Sequence, residues 1–352
     1  MEPITPGPIV LMGSGETSPS SGTVFEEVAK LYSSPLRIAI LETPAGFELN
    51  SDRVAGRVGD FLQNRLQNYH PVIDIIPARK KGSDLSPDTE SILEPLYQAN
   101  MIFMGPGSPT YAARQLTGSL AYQVIQARQR TGATLVLASA ATIAFGCQTM
   151  PVYEIFKAGM DLQWQPGLDF FQHYGLNLVI IPHWNNAEGG AELDTSHCFM
   201  GKDRFEELEK LLDCQGTILG IDEHTSIWME PAANTAKVYG KGMVHIIKGS
   251  AEKNLASGEA FPMTLFGTTT KNTNNSEGIS DVIWKRACEF SAKSKDNTHQ
   301  AIPEEVANLL KDREEARHNN DYPRADNLRD QAKTLGWAIE DTGEGARLRK
   351  LE

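Results

Sequence analysis

Ser139 is a lone small polar residue between two apolar runs, in the stretch TLVLASAATIAFGCQT over residues 134–149. Residues 134–138 read as a buried strand, and the small residues from Ala140 onward as a helix. A hydroxyl on such a strand–turn–helix stands at the carboxyl edge of a sheet. The amides at the helix start then point toward whatever the hydroxyl attacks. A plain helix N-cap accounts for one serine equally well, so the rest of the chain must decide. A serine nucleophile needs a base within hydrogen-bond reach and a group that orients the base. His183 stands just after the apolar run LNLVII of residues 176–181, and Glu154 lies between the two, giving the order Ser, Glu, His. Asp161 and Glu188 are rivals for the acidic place.

Other polar clusters surround these three. The run NMIFM at 100–104 opens into Gly105-Pro106-Gly107-Ser108-Pro109-Thr110-Tyr111. Glycine lets an acyl oxygen approach an N–H closely, so this turn suits an oxyanion hole; an ordinary strand-to-helix turn is the alternative. The loop HWNNAEGGAELDTSH at 183–197 carries two histidines and three carboxylates. Metal ligation and substrate binding both suit such a set, but the spacing matches no standard motif such as HExxH. The substrate reading is preferred, with Asn185, Asn186 and Glu188 as polar contacts, and neither a metal nor another cofactor is called for. Asp222-Glu223-His224-Thr225 reads as a brace for the loop beside the triad, or as an acid pair for a substrate ammonium. Glu223 and Tyr111, which closes the glycine–proline turn, therefore join the candidate substrate contacts. Gly13-Ser14-Gly15 is neither GxGxxG nor a P-loop and reads as a flexible turn beside a site.

The elements that would position these residues alternate. Short apolar strands are expected at 8–12, 37–41, 72–76, 100–104, 134–138, 176–181 and 217–221, with helical stretches between them. That alternation predicts an α/β domain over 1–250, a mostly parallel sheet with helices on both faces. Residues 238–239 and 244–247 look like a closing hairpin. A polar linker with one short helix is expected over 251–300, with KNTNNS at 271–276 as its most loop-like part. Residues 301–352 are charge-rich and predict a small helical module broken near 319–323.

Composition excludes several function classes. The chain has 352 residues and a net charge of -12, which disfavours non-specific binding to nucleic acid or anionic membrane. Its four cysteines form no CxxC pair and no secreted framework. The N-terminus shows no signal peptide and no run is long enough to span a membrane, so a cytoplasmic protein is expected. The expected partner is a small peptide-like substrate rather than a membrane, and a homo-oligomer is left open.

Taken together, SAxx at Ser139, GPGSPTYAARQL at 105–116, PHW at 182–184 and LGIDEHTS at 219–226 resemble the peptidase S51 family. That family holds cyanophycinases and aspartyl dipeptidases, and the resemblance covers about residues 8–250. It implies a class I glutamine amidotransferase-like fold, flavodoxin-like and three-layered. It further implies a serine nucleophile, a histidine base and an acid between them, here Ser139, His183 and Glu154, with oxyanion amides from Gly107 and Ala140. The implied reaction is cleavage of a peptide or amide bond in a small acidic, aspartyl-containing substrate. The family's elbow usually reads G-x-S-A-G-A; Leu137 and Ala141 stand at its glycine positions here.

The C-terminal module resembles a different protein. LLKDREEAR at 309–317, ADNLRD at 325–330, GWAIEDT at 336–342 and Gly345 are similar to the tail of cysteinyl-tRNA synthetases. No HIGH or KMSKS motif is present, so no aminoacylation site is expected. Residues 304–352 hold nine Lys/Arg against twelve Asp/Glu, a poor start for phosphate binding. A tRNA partner is therefore the less favoured expectation. It belongs with the alternative of an inactive amidotransferase-like protein that binds a ligand or partner through this module.

Overall fold

The computed structural model describes residues 4–212, 216–269, 275–298, 303–342 and 345–351. Cys214 and most of the KNTNNS run lie outside the described residues. The strands are β1 Ile9–Met12, β2 Arg37–Leu41, β3 Val72–Ile76, β4 Met101–Met104, β5 Thr134–Ala138, the short pair β6 Gln148–Thr149 and β7 Gln165–Pro166, β8 Leu178–Ile181, β9 Thr217–Ile221, β10 Thr225–Glu230, β11 Thr235–Gly240, β12 Met243–Lys248, β13 Ala251–Ala256 and β14 Ala260–Pro262. An eight-stranded sheet runs β14-β11-β10-β1-β5-β4-β2-β3, and a four-stranded sheet runs β13-β12-β9-β8. Pairing is parallel from β1 through β5, β4 and β2 to β3, and again between β8 and β9.

The apolar runs explain the layers. In β1, Ile9 and Leu11 face one core while Val10 and Met12 face another; in β5, Leu135 and Leu137 oppose Val136 and Ala138 in the same way. A sheet buried on both faces needs such continuous runs instead of alternation with polar residues. Helices α1 (Pro19–Lys30) and α2 (Ser51–Arg65) cover one face through Val24, Phe25, Val28, Ala55, Val58 and Leu62. Helices α3 (Glu94–Gln98), α4 (Pro109–Leu116) and α5 (Leu120–Arg130) cover the other. Ser108 caps α4 by accepting the Tyr111 N–H, with Pro109 in the first turn; Ser119 caps α5 likewise.

Two expectations differ from the structure. Residues 238–239 and 244–247 do not pair with each other: β11 pairs with β10 and β14, whereas β12 pairs with β9 and β13 in the second sheet. The stretch expected as a linker largely belongs to the domain. Its β13 and β14 extend the two sheets, and its helix Asp281–Thr298 buries Ile283 and Ala287 in the main core. Buried Arg128 donates to the Ala287 carbonyl, and Arg130 to the carbonyls of Asn275 and Glu277, which adds polar anchors to this stretch. The C-terminal module holds the two expected helices with the break between them, and a hairpin besides. Helices Glu304–His318 and Tyr322–Thr334 are followed by an antiparallel hairpin, Trp337–Thr342 with Gly345–Lys350. Arg313, almost fully buried, forms a two-pronged pair with Asp341 that ties the first helix to the hairpin.

Candidate active site

Three loops leave the carboxyl ends of β5, β8 and β9 and meet. Ser139 follows β5 directly and opens α6, Ala140–Ala144. Its backbone is strained, with φ 51° and ψ −117°. A non-glycine residue there costs about 1–3 kcal/mol, which the neighbours must offset. They do so through small side chains at Ala138, Ala140 and Ala141, and through a hydrogen bond from the Ser139 N–H to the Met12 carbonyl. Leu137, at a position where the resembling family carries glycine, points into the core from the centre of the sheet, paired with Leu11 and Met104. The elbow therefore forms without glycine at that position.

His183 follows β8 with φ 52°, its N–H donating to the Gly13 carbonyl. Its Nε2 lies 2.8 Å from the Ser139 hydroxyl oxygen. Its Nδ1 lies 3.0 Å from Glu223 Oε1. A neutral imidazole that donates from Nδ1 to a carboxylate presents a lone pair at Nε2 to the serine O–H. The hydrogen bond from His183 holds the Glu223 carboxyl below its usual range. Burial opposes this, and a second bond, from Asn186 Nδ2, reinforces it.

The carboxylate on His183 is thus Glu223, not Glu154. Glu154 sits in α7, Val152–Phe156, and one of its oxygens accepts from the Thr110 hydroxyl. Asp161 and Glu188 are exposed and do not meet His183. The expected substrate contacts also change. Asn185 Oδ1 accepts the Glu223 N–H at 2.8 Å and buried Asn186 bonds the Glu223 side chain, so both asparagines position the carboxylate. Glu223 itself is occupied by His183. Glu188 is exposed, whereas Tyr111 is buried, donates to the Arg79 carbonyl and lines an open cleft.

The glycine-rich turn at Gly13 is a structural part of the site. A Cβ on Gly13 would lie 2.1 Å from the Asp222 carbonyl oxygen, so only glycine lets this turn press against the loop that carries Glu223. Ser14 accepts the His224 N–H, Asp222 accepts the Met243 N–H, and His245 bonds Asp222 on its far side. Behind His183, Trp184 stacks on His245 with ring centres 5.2 Å apart.

Gly107 has φ 146°, and a Cβ there would lie 2.0 Å from the Pro44 carbonyl oxygen. The Gly105 carbonyl accepts the Ala141 N–H, which places this turn against the start of α6. Among the described residues, the N–H groups of Gly107 and Ala140 have no protein acceptor. Free amides on a rigid turn and at the residue after the serine are what a developing oxyanion needs. The turn is clamped from below by a hydroxyl chain, Ser108 to Thr110 to Glu154. Among the described residues no three His, Cys, Asp or Glu side chains gather as a metal site, and no helix is long and apolar enough to cross a membrane.

Sequence spacing offered no rule that would place Glu223 ahead of Glu154. The available signal was positional: Ser139, His183 and Glu223 each stand just beyond a fully buried strand.

Residues 299–349 match the family model of the cysteinyl-tRNA ligase anticodon binding domain. In this region the chain is 43% identical over 53 residues to the cysteine–tRNA ligase of Methanosarcina acetivorans and 41% identical over 58 residues to that of Staphylococcus aureus strain JH9. The matched stretch is 15–16% of this chain and spans only 11–12% of those ligases. Over the rest, the fold is similar to the crystal structure of a peptidase from an acI-B1 Actinobacterium, with TM-score 0.59 and 22% identity, covering 74% of this chain and 98% of that one. That likeness establishes the α/β architecture.

Proposed function

We propose that the chain is a serine hydrolase that cleaves a peptide or amide bond. The observation that carries this is the contact of Ser139 Oγ with His183 Nε2 at 2.8 Å, on a strained elbow, with Glu223 on the far imidazole nitrogen. Ser139 attacks the carbonyl carbon while His183 takes its proton. Glu223 offsets the charge that forms on the imidazole, and the amides of Gly107 and Ala140 receive the tetrahedral oxyanion. His183 returns the proton to the leaving amine, and water then releases the acyl group by the same steps in reverse. The S51 resemblance makes small aspartyl-containing peptides the first substrates to try. Hydrolysis of one of these, abolished by Ser139→Ala in a protein that still folds, is the supporting result; undiminished hydrolysis rejects the proposal.

The C-terminal match favours a second reading, that residues 303–351 bind tRNA. Against it, Arg313 and Arg317 are committed to Asp341. A salt-sensitive gel shift of tRNA, lost on deleting residues 301–352, would support it. No shift at low salt rejects it.

A further inference from the structure

Trp184 follows the base His183, and Asp222 precedes the acid Glu223. His245, on β12, touches both of these neighbours. Its Nε2 lies 3.2 Å from Asp222 Oδ1, and its ring stacks on Trp184 with centres 5.2 Å apart and planes 24° from parallel.

The sequence explains how three separate elements reach one another. His245 stands opposite Gly220 in the β12–β9 ladder, so the two positions share a face of the sheet. With no side chain at Gly220, the indole of Trp184 lies against the backbone there; a Cβ would come within 2.4 Å of it. The indole thereby fills the space beside His245. The Trp184 N–H donates to the Ile221 carbonyl, and the His197 N–H to the Trp184 carbonyl, so the backbone behind the base is held on both sides. Asp222 is buried, and its two oxygens serve two donors: Oδ2 takes the Met243 N–H and Oδ1 takes the His245 ring.

The far side of the His245 ring is held as well. Its Nδ1 faces Asn254 Oδ1 at 2.8 Å and Glu252 Oε1 at 3.5 Å, both from β13. With carboxylates against both ring nitrogens, only the charged imidazole donates on each side. Burial disfavours that charge, but the hydrogen bond and charge of Asp222, followed by the bonds to Asn254 and Glu252, outweigh it and raise the pKa above the ordinary histidine value. A charge-assisted bond is about twice as strong as a neutral one. The junction matters because neither reacting loop is fixed by its strand alone. His183 has a left-handed backbone, φ 52°, and the Glu223 side chain is 28% exposed. A displacement of about 1 Å between such groups can cost on the order of 100-fold in rate.

We propose that His245 is a positioning residue of the hydrolase, which through Asp222 and Trp184 holds the acid-bearing and base-bearing loops in register. This rests on the hydrolase reading and deepens it with a residue outside the reacting groups.

The test compares two substitutions in the full chain. His245→Phe keeps a ring on Trp184 and loses the bond to Asp222. His245→Gln loses the ring and keeps an N–H donor for Asp222. Labelling of Ser139 by a fluorophosphonate should slow about tenfold in the phenylalanine variant and stay within about threefold in the glutamine variant. A residue that only fills space beside Trp184 would give the opposite order. The second readout is the proton NMR signal of His183 Nδ1–H, whose exchange with water is slowed by its bond to Glu223. It should be present in the unsubstituted protein and in His245→Gln, and lost in His245→Phe. Asp222→Asn covers the case in which the phenylalanine variant does not fold. An amide has one acceptor oxygen where Asp222 serves two donors, so this variant should also slow labelling about tenfold. Labelling of either His245→Phe or Asp222→Asn at the normal rate overturns the proposal. So does a glutamine variant slower than the phenylalanine one, or a His183 signal that survives His245→Phe. No label on Ser139 in the unsubstituted protein, with a His183 signal that still depends on His245, would reject the hydrolase reading and leave the positioning role standing.

Discussion

Replacing Glu223 by glutamine should slow the reaction of Ser139 far more than the same change at Glu154. The argument rests on where charge develops. As Ser139 attacks, His183 gains a proton, and among the described residues the carboxylate bonded to it is that of Glu223, 3.0 Å from its Nδ1. A unit charge about 4 Å from the imidazolium centre contributes ~4 kcal/mol in surroundings of intermediate polarity. The Glu223 side chain is 28% exposed, so water reduces that to about 2–3 kcal/mol. The expected loss is therefore roughly 30- to 150-fold in rate. Glutamine preserves the size of the side chain and can still accept from His183, so the change reads mainly the charge. The assay needs no known substrate: the second-order rate of labelling by a fluorophosphonate reports how activated the serine is. Glu154→Gln, which touches only the Thr110 clamp, should stay within about threefold in the same assay. A Glu223→Gln protein that labels at the normal rate, or a Glu154→Gln protein that is the slower of the two, would refute the assignment of the orienting acid.

Further outcomes follow from the same geometry. Thr110→Val cuts the hydroxyl chain that clamps the Gly107 turn and should lower kcat by about three- to tenfold with a smaller change in KM, measured on the first peptide found to be cleaved. Gly13→Ala places a Cβ against the Asp222 carbonyl and should cost about 1–3 kcal/mol in chemical denaturation while also slowing labelling, because the loop carrying Glu223 must move. His173 is held neutral in the fold, its pKa lowered from 6.5 to about 4, chiefly by burial and then by Arg130. The unfolded chain binds that proton near pH 6.5, so stability from this group is complete above that pH and declines as pH falls toward about 4. His173→Gln should flatten the melting temperature across that window; an unchanged pH profile would count against it.

Much of this arrangement was legible in the sequence. Continuous apolar runs such as RIAIL and TLVLA mark strands buried on both faces, and those strands form the parallel centre of the sheet. The serine and histidine that the sequence pairs lie in contact because each follows such a strand. The acid did not follow from order along the chain. Glu154 fits the order Ser, Glu, His, but order carries no distance, and the loop after β9 returns beside β8 because those strands pair in parallel. The asparagines of the polar loop were legible as functional in type but not in role, since only the fold shows that they bond Glu223. Polar composition misled over 251–300, where a few scattered apolar side chains, Phe261, Met263, Phe266, Ile279 and Ile283, are buried in the main core and Arg128 and Arg130 hold backbone carbonyls beside them. In the tail, the charge pattern marks the two helices and the break between them, whereas the hairpin that follows, tied to the first helix by Asp341 and Arg313, has no such signal.

The measurement that bears most directly on the central claim is fluorophosphonate labelling of the full chain, with the modified residue mapped by mass spectrometry. The account predicts one label, on Ser139, absent from Ser139→Ala and sharply reduced in His183→Ala. A folded protein that takes no label, or takes it at another serine, would contradict the claim that Ser139 and His183 form a working nucleophile and base.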